Sequence, residues 1–389
     1  MRLMLIVVML LAACTSASPP PEFTPPAWTR QSVPTLPYER LQDVRGFAGW
    51  NGGFVVAGLY YVSPVPGGIG TWQEIPVLHL SADGQTWREM PMPNIQSFAS
   101  GEAAAGYSDR GYVLGNNEGG PVVLTLEGDA WTSLPLPGAT AEDKAASIAA
   151  GPRGVVVVTV HTEPWGEAEV ARIWYSADGR TFSGPAEPNA FITTTDAWCL
   201  AATERGFLLP MFDLDLPPEI RSLQLYESVD GRDWTVTDPA FPESEPDHHL
   251  SGMEAVQYHR GVTVAFGTMW DSTDGPSPIA WYRRDGEPWQ RTELDPGRLP
   301  DAGVEPANMR FVSRVYRWGS GFLGLGVTAM ASGVWTSADG MSWHRTPVRD
   351  NGFESSHQLR LATDGKTSLL LRKSPRIELT GPTEIWRAR

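Results

Sequence analysis

The sequence predicts an all-β fold, a propeller of seven four-stranded blades, and three observations carry that prediction. A short turn motif recurs along the chain. Every copy sits in the same frame of short apolar strands. The composition suits many turns: 40 Gly and 34 Pro in 389 residues, where average usage gives about 27 and about 19. Charged residues make up only 19% of the chain, which leaves little material for long solvated helices. With glycine added, the apolar share of 41% reaches the globular range and rules out disorder over most of the chain.

The motif reads S-A-D-G-Q-T-W at 81–87, S-A-D-G-R-T-F at 176–182, S-V-D-G-R-D-W at 228–234 and S-A-D-G-M-S-W at 337–343. Weaker copies are R-R-D-G-E-P-W at 283–289 and L-E-G-D-A-W ending at Trp131. The closing aromatics are spaced by 44, 51, 52, 55 and 54 residues. Asp-Gly is a strong hairpin turn, because Gly accepts positive φ and Asp bonds nearby backbone N–H groups. The aromatic four residues after Asp is expected to fold back over the turn as a structural staple. This assigns Trp87, Trp131, Trp234, Trp289 and Trp343 to the scaffold.

An apolar strand precedes each copy: V-L-H-L (77–80), V-V-L-T (122–125), I-W-Y (173–175), L-Y-E (225–227), A-W-Y (280–282) and V-W-T (334–336). Some 20 to 30 residues earlier lies another, such as F-V-V-A-G (54–58) or G-F-L-G-L-G (321–326). Most of these follow a further strand, and a short strand comes after the aromatic. Four strands repeated about every 50 residues describe propeller blades. The last unit, through L-R-L-A-T (359–363), S-L-L-L-R (368–372) and E-I-W-R-A-R (384–389), supplies only three. A-W-T-R-Q-S-V-P at 27–34 resembles the fourth strand of the other blades. It is expected to pair with the last blade and close the ring. That count gives seven blades, with six as the alternative.

The S-x-D-G-x-x-W repeat resembles the Asp-box, or bacterial neuraminidase repeat, of sialidase-like propellers, over roughly residues 28–389. The usual box has one residue between Asp and Gly; here the two are adjacent. In that family the box marks the fold, lies opposite the ligand face and occurs in enzymes and non-enzymes alike. A sialidase would need arginines for a substrate carboxylate, a Tyr activated by Glu and an acidic proton donor. The F/Y-R-I-P motif that precedes the first box in sialidases is missing, since Arg40 and Arg45 stand in other contexts. Arg310, Arg314 and Arg360 are placed to face a centre, but without the motif none receives a catalytic role. Resemblance to Asp-box lipoproteins that serve as assembly scaffolds supplies a non-catalytic reading.

Met1-Arg2 is followed by the nine-residue apolar run L-M-L-I-V-V-M-L-L and then L-A-A-C. The run is too short to span a bilayer, which takes about 20 residues, and fits the apolar core of a signal peptide. With Cys14 at its end, the segment resembles a bacterial lipoprotein signal. The resemblance implies removal of residues 1–13 and attachment of diacylglycerol and fatty acyl (palmitate) chains at Cys14. Two or three acyl chains at about 0.8 kcal/mol per buried CH₂ hold a protein stably on a bilayer. Residues 14–27 then read as a lipidated, Pro-rich tether, and residues 28–389 as the propeller. The expected place is extracytoplasmic, lipid-anchored to the cell membrane, with the chain a monomer.

Net charge is −15 and no basic stripe exists, which excludes nucleic acid as a partner. Cys14 and Cys199 make no disulfide framework, and Cys199, in A-W-C-L-A-A, reads as a small buried hydrophobe. Propeller geometry places the loops between second and third strands, and those between blades, on the face away from the Asp-Gly turns. Long second-to-third loops are expected at 60–76, 161–171, 211–221 and 268–278. They carry Trp72, Trp165 and Trp270 outside the repeat pattern, together with Asp213, Asp215, Asp271 and Asp274. Rigid Trp residues beside carboxylates suit sugars, peptides or cationic groups, and these seven residues form the expected ligand-binding set. The alternative is that the Trp residues only pin the loops. D-S-T-D-G (271–275) and D-L-D (213–215) have the carboxylates Ca²⁺ takes but complete no loop signature, and Asp247-His248-His249 is a poor single-ion site. No metal, cofactor or catalytic residue is assigned. The expected function is a non-catalytic binding or scaffold propeller for an envelope protein or glycan, with a sialidase-type glycoside hydrolase as the alternative.

Overall fold

The computed structural model describes residues 23–31, 43–62, 73–92, 94–127, 130–162, 169–186, 200–212, 223–237, 248–271, 275–292, 312–327, 332–346, 358–373 and 383–388. These residues form seven antiparallel sheets and no helix. Strand β1 (Trp28–Arg30) is set aside for the last blade. Blade 1 is β2 (Asp43–Trp50), β3 (Gly53–Val62), β4 (Gln73–Ser81) and β5 (Arg88–Met90). Blade 2 has a divided inner strand, β6 (Ser97–Phe98) and β7 (Ala104–Tyr107), followed by β8 (Arg110–Asn117), β9 (Gly120–Glu127) and β10 (Ala130–Pro135). Blade 3 is β11 (Asp143–Gly151), β12 (Gly154–Thr162), β13 (Glu169–Ser176) and β14 (Ser183–Ala186). Blade 4 is β15 (Ala201–Ala202), β16 (Phe207–Phe212), β17 (Leu223–Ser228) and β18 (Thr235–Val236). Blade 5 is β19 (His248–His259), β20 (Val262–Asp271), β21 (Gly275–Arg284) and β22 (Gln290–Thr292). Blade 6 is β23 (Val312–Trp318), β24 (Gly321–Val327), β25 (Ser332–Ser337) and β26 (His344–Thr346). Blade 7 is β27 (Gln358–Thr363), β28 (Ser368–Lys373) and β29 (Thr383–Ala388), with β1 as its outer strand.

The expected closure is therefore present. Trp28, Thr29 and Arg30 stand opposite Ala388, Arg387 and Trp386, and the Gln31 N–H continues the ladder to the Ile385 carbonyl at 3.0 Å. Closing the sheet edge with the other end of the chain removes an open pairing template.

A flat blade has two apolar faces and buries neither by itself. Each apolar cluster accordingly straddles neighbouring blades. Phe266 and Val264 of blade 5 pack with Phe322, Trp335 and Trp343 of blade 6. Leu323 and Leu325 of blade 6 pack with Leu359, Leu370 and Trp386 of blade 7. Leu369 and Leu371 of blade 7 pack with Phe54, Val56 and Trp87 of blade 1. Further clusters join blades 1 to 3, 3 to 4 and 4 to 5, so the ring of contacts is continuous.

The Asp-Gly turns share one construction. The Gly340 N–H donates to Ser337 Oγ at 2.8 Å, and the Met341 and Ser342 N–H groups donate to Asp339 Oδ1 at 2.8 and 3.0 Å. The turns at Asp83 and Asp230 repeat this pattern. Gly340 has φ of 77°, a conformation that glycine adopts without Cβ strain. The closing Trp343 folds back, its indole N–H donating to the Gly340 carbonyl at 3.0 Å, and meets Phe266 edge-on at 4.7 Å between ring centroids. Trp87, Trp289 and Trp343 are buried, while Trp131 and Trp234 are half-buried against their clusters. The staple role read from the repeat holds for all five.

One expectation needs correction. Residues 268–278 do not form a long loop: β20 and β21 pair without interruption out to Asp271 opposite Gly275. Trp270 is a strand residue, opposed by Pro276 and His249. Pro276 and Pro278 belong to β21. Here they lie where β22, paired only with Ala280–Tyr282, no longer covers the outer side, and proline is tolerated on such an edge.

Two predictions follow from this packing. Trp343→Ala should cost about 3–5 kcal/mol, the range for deleting a buried large aromatic, as read by urea unfolding; a loss below about 1 kcal/mol would contradict its place in the blade 5–6 core. The second concerns pH. His79 on β4 is wholly buried, with neither ring nitrogen hydrogen-bonded, and burial holds its pKa below the ordinary 6.5. The unfolded chain then binds a proton that the folded chain refuses, so stability falls as pH drops below about 6.5. His79→Leu should flatten the decline in melting temperature between pH 7 and pH 5. The decline should not vanish, because burial lowers the His259 pKa as well. Asp83, Asp178 and Asp230 are held below the ordinary 3.8 by turn N–H groups, those of Thr86, Arg180 and Arg232 foremost. Their stabilisation is present above about pH 4 and is lost only below it. An identical slope in wild type and His79→Leu between pH 7 and pH 5 would refute the His79 assignment.

Candidate functional site

The inner strands of the seven blades enclose a central channel with a cavity of about 240 Å³. Its wall is mostly small: Ala48, Gly49, Ala105, Gly106, Ala149, Ala150, Ala201, Ala202 and Ala362. Seven strands converging on an axis demand such residues. A Cβ on Gly46 would strike the Ala104 backbone, and one on Gly49 the Thr363 carbonyl.

Every inner strand starts on the face that carries the second-to-third connections. On blade 1, Asp43 pairs with Leu59, near the end of β3 that leads to Gln73, while Trp50 pairs with Gly53 at the far hairpin. This is the face opposite the Asp-Gly turns, and the charged wall residues of the channel lie there. Arg314 is near the start of β23 and Arg360 near the start of β27. Both guanidinium groups reach Glu102: Arg314 Nε lies 3.2 Å and Arg360 Nη1 2.8 Å from the same Oε2. Arg360 Nε also donates to the Val44 carbonyl at 3.2 Å, and the Phe47 N–H donates to Glu102 Oε1 at 3.4 Å.

Glu102 owes its place to the break between β6 and β7. Residues 100–102 leave the blade 2 ladder, which the Ala103 carbonyl rejoins by accepting the Leu114 N–H at 2.9 Å, and the segment bridges the neighbouring blades. Ser100 and Gly101 donate to the Ala145 and Ala146 carbonyls of blade 3, the Glu102 carbonyl accepts from Ile148, and Ala103 donates to Arg45 of blade 1. The detour delivers one carboxylate to the channel mouth.

Tyr316, two residues after Arg314, stands beside this cluster, and its hydroxyl accepts the Leu361 N–H at 3.4 Å. Burial, with the Glu102 charge adding to it, raises the Tyr316 pKa. Burial lowers that of Arg360, against the opposing pull of Glu102. Glu102 thus stands between two guanidinium groups at the channel mouth, on a chain of net charge −15. Asp43 and Arg45 pair with each other at 2.9 Å nearby.

A second polar node closes the same end of blade 3. Buried Asp143 accepts from the Thr140 N–H at 2.8 Å and from Arg172 Nη1 at 3.1 Å, and lies 3.1 Å from His161 Nδ1. It ties β11, β12 and β13 together, a structural role.

Of the residues expected to bind ligand, Trp72, Trp165, Asp213, Asp215 and Asp274 lie outside the described residues, as do Cys14, Cys199 and Arg310. Trp270 and Asp271 are placed by their backbone at the end of β20, on the channel-mouth face. Arg314 and Arg360, noted in the sequence as candidates for the centre, are brought together there. Glu102 and Tyr316 were not anticipated. The available signal for Glu102 was a single charge in a run of small residues. Among the described residues no group of three or more His, Cys, Asp or Glu side chains could hold a metal ion.

No protein-family model and no curated protein matches the chain. Solved structures do, at the level of fold. The β-propeller domain of the Trilobed protease from Pyrococcus furiosus is similar at 9% identity and a TM-score of 0.52, over 90% of this chain and 93% of that one. It is described as having an open velcro topology, whereas here β1 closes the ring. Polysaccharide lyase Uly1 is similar at 10% identity and a TM-score of 0.55, over 89% of each chain. A prolyl endopeptidase is similar at 12% identity and a TM-score of 0.51, over 90% of this chain and 49% of that one. The chain is a β-propeller.

Glu102→Gln removes the carboxylate charge that both Arg314 and Arg360 contact while keeping the side chain's shape. It should destabilise the fold by about 1–3 kcal/mol, the cost of leaving partly buried charged donors without their acceptor, measured by urea unfolding. An unchanged midpoint would mean that the two arginines are compensated by solvent rather than by Glu102.

Proposed function

We propose that the chain is a non-catalytic recognition propeller, anchored to the extracytoplasmic side of a membrane through acylated Cys14. Its channel mouth takes an anionic group of an envelope glycan or protein. The observation that carries the reading is the convergence of Arg314 and Arg360 on a single carboxylate beside the channel. A planar guanidinium pairs with carboxylate or phosphate through two parallel hydrogen bonds, and a partly desolvated pair at a concave mouth favours an incoming anion over water. Trp72, Trp165 and Trp270 supply stacking surface for a sugar or peptide on the same side. The acidic loops around them steer a partner by its charge pattern and keep uniformly anionic polymers away.

Two features favour binding over hydrolysis. Tyr316 is held protonated, whereas a nucleophile needs a base or a lowered pKa. Hydrolysis by two carboxyls needs a pair about 5–9.5 Å apart across an open site, and among the described wall residues Glu102 stands alone. A second reading, a sialidase-type glycoside hydrolase, rests on the same cluster, since Arg314, Arg360, Tyr316 and Glu102 are residue types that such chemistry employs.

Calorimetry with anionic and neutral oligosaccharides and with carboxylate-bearing peptides tests the proposal. Arg314→Gln should weaken binding of the anionic ligand at least tenfold, with neutral ligands unaffected. Joint replacement of Trp72, Trp165 and Trp270 by Ala should abolish glycan binding with the melting temperature nearly unchanged. Equal affinity in wild type and Arg314→Gln would sink the anion site. Turnover of fluorogenic glycosides that stops on Tyr316→Phe would establish the hydrolase instead.

A further inference from the structure

The segment that joins Cys14 to the propeller is not free up to β1. Phe23 lies against Gly321, the Thr24 carbonyl accepts the indole N–H of Trp318 at 3.3 Å, and Pro26 is buried. Trp28 and Trp318 then meet at 5.7 Å between ring centroids. Residues 23–28 form a strap beneath blade 6 that runs into the outer strand of blade 7.

The side on which the strap lies follows from the strand registers. Trp318 and Gly321 are the hairpin pair at the far end of β23 and β24. Trp28 pairs with Ala388, at the end of β29 away from the Lys373–Thr383 pair. Both places are on the face of the Asp-Gly turns, opposite the channel mouth. Eight residues lie between Cys14 and Phe23, nine steps that reach at most about 32 Å at full extension.

We infer that the Asp-Gly-turn face is the membrane-facing surface of the propeller and that the channel mouth points away from the lipid. The inference rests on the lipid-anchor reading at Cys14. The strap fixes the exit point of the tether on one face, and the tether is too short to let that face wander far from the bilayer. A channel mouth held outward meets soluble or surface-displayed partners rather than the headgroups of its own membrane.

The test uses the full chain, matured in cells and reconstituted in phosphatidylcholine vesicles that contain a headgroup spin-labelled lipid. A fluorophore is attached at Gln85→Cys on the turn face or at Gln73→Cys on the mouth face, each in a Cys199→Ser background. Quenching of the Gln85 probe is expected to exceed that of the Gln73 probe at least twofold. Equal quenching, or stronger quenching at Gln73, would overturn the orientation. Joint replacement of Phe23 and Trp318 by Ala moves the exit point only to Trp28 on the same face and should narrow the difference while circular dichroism stays unchanged; an undiminished difference would remove the strap as its cause. Fractionation separates the two possible failures. If the wild-type chain is recovered in the soluble fraction, or Cys14→Ser stays with the membrane, the anchor reading falls and the orientation falls with it. If only Cys14→Ser is soluble and the probes are quenched equally, the orientation alone is wrong.

Discussion

A four-stranded blade with two apolar faces is unstable alone, and everything else in this molecule depends on how that is resolved. Each blade covers one neighbour and is covered by the other, so burial is complete only when the series returns to its beginning. The closing contact is between the two ends of the described chain. β1 hydrogen-bonds to β29, and Leu369 and Leu371 pack against Phe54 and Trp87 of the first blade. Hydrophobic burial of this kind is proportional to area and indifferent to direction. Direction comes from the Asp-Gly turns, whose Ser and Asp side chains fix each hairpin through backbone N–H groups, and from the Trp residues that lock the turns to the blades.

Closure also creates the site. Seven inner strands meeting around an axis leave room only for small side chains along most of the wall, so the few large polar groups collect where the strands begin and diverge. Arg314, Arg360, Tyr316 and Glu102 come from three blades, and none neighbours the others in the sheet ladders. Partial burial of this cluster is tolerable because its charges compensate one another. The same topology separates the two ends of the molecule, sending the N-terminal strap to the turn face and the charged cluster to the other.

Much of the fold was legible because its signals are local. S-A-D-G-x-x-W states a turn within seven residues, and the apolar strands before it recur at fixed offsets. Even the closure could be read, since A-W-T-R near the start has the look of an outer strand and the last blade lacks one. Trp270 was assigned to a loop at 268–278, but β20 and β21 pair through that segment, and the short reach of β22 lets Pro276 and Pro278 sit in β21. The site was half legible. Arg314 and Arg360 stood out as arginines near inner strands, but their partner Glu102 is 258 residues from Arg360, and no periodicity links them. Its position depends on a local departure from the ladder at Ser100–Glu102, which a pattern of strands does not announce.

Amide hydrogen exchange followed by mass spectrometry reports most directly on the ring closed by β1, from which both faces take their identity. Peptides covering Trp28–Gln31 and Ile385–Ala388 should exchange as slowly as the outer strands of the other blades, and a chain lacking residues 23–34 should lose protection at Ile385–Ala388. Exchange at the rate of an unstructured peptide in both segments of the intact chain would contradict the closed ring, and with it the assignment of strap and channel mouth to opposite sides.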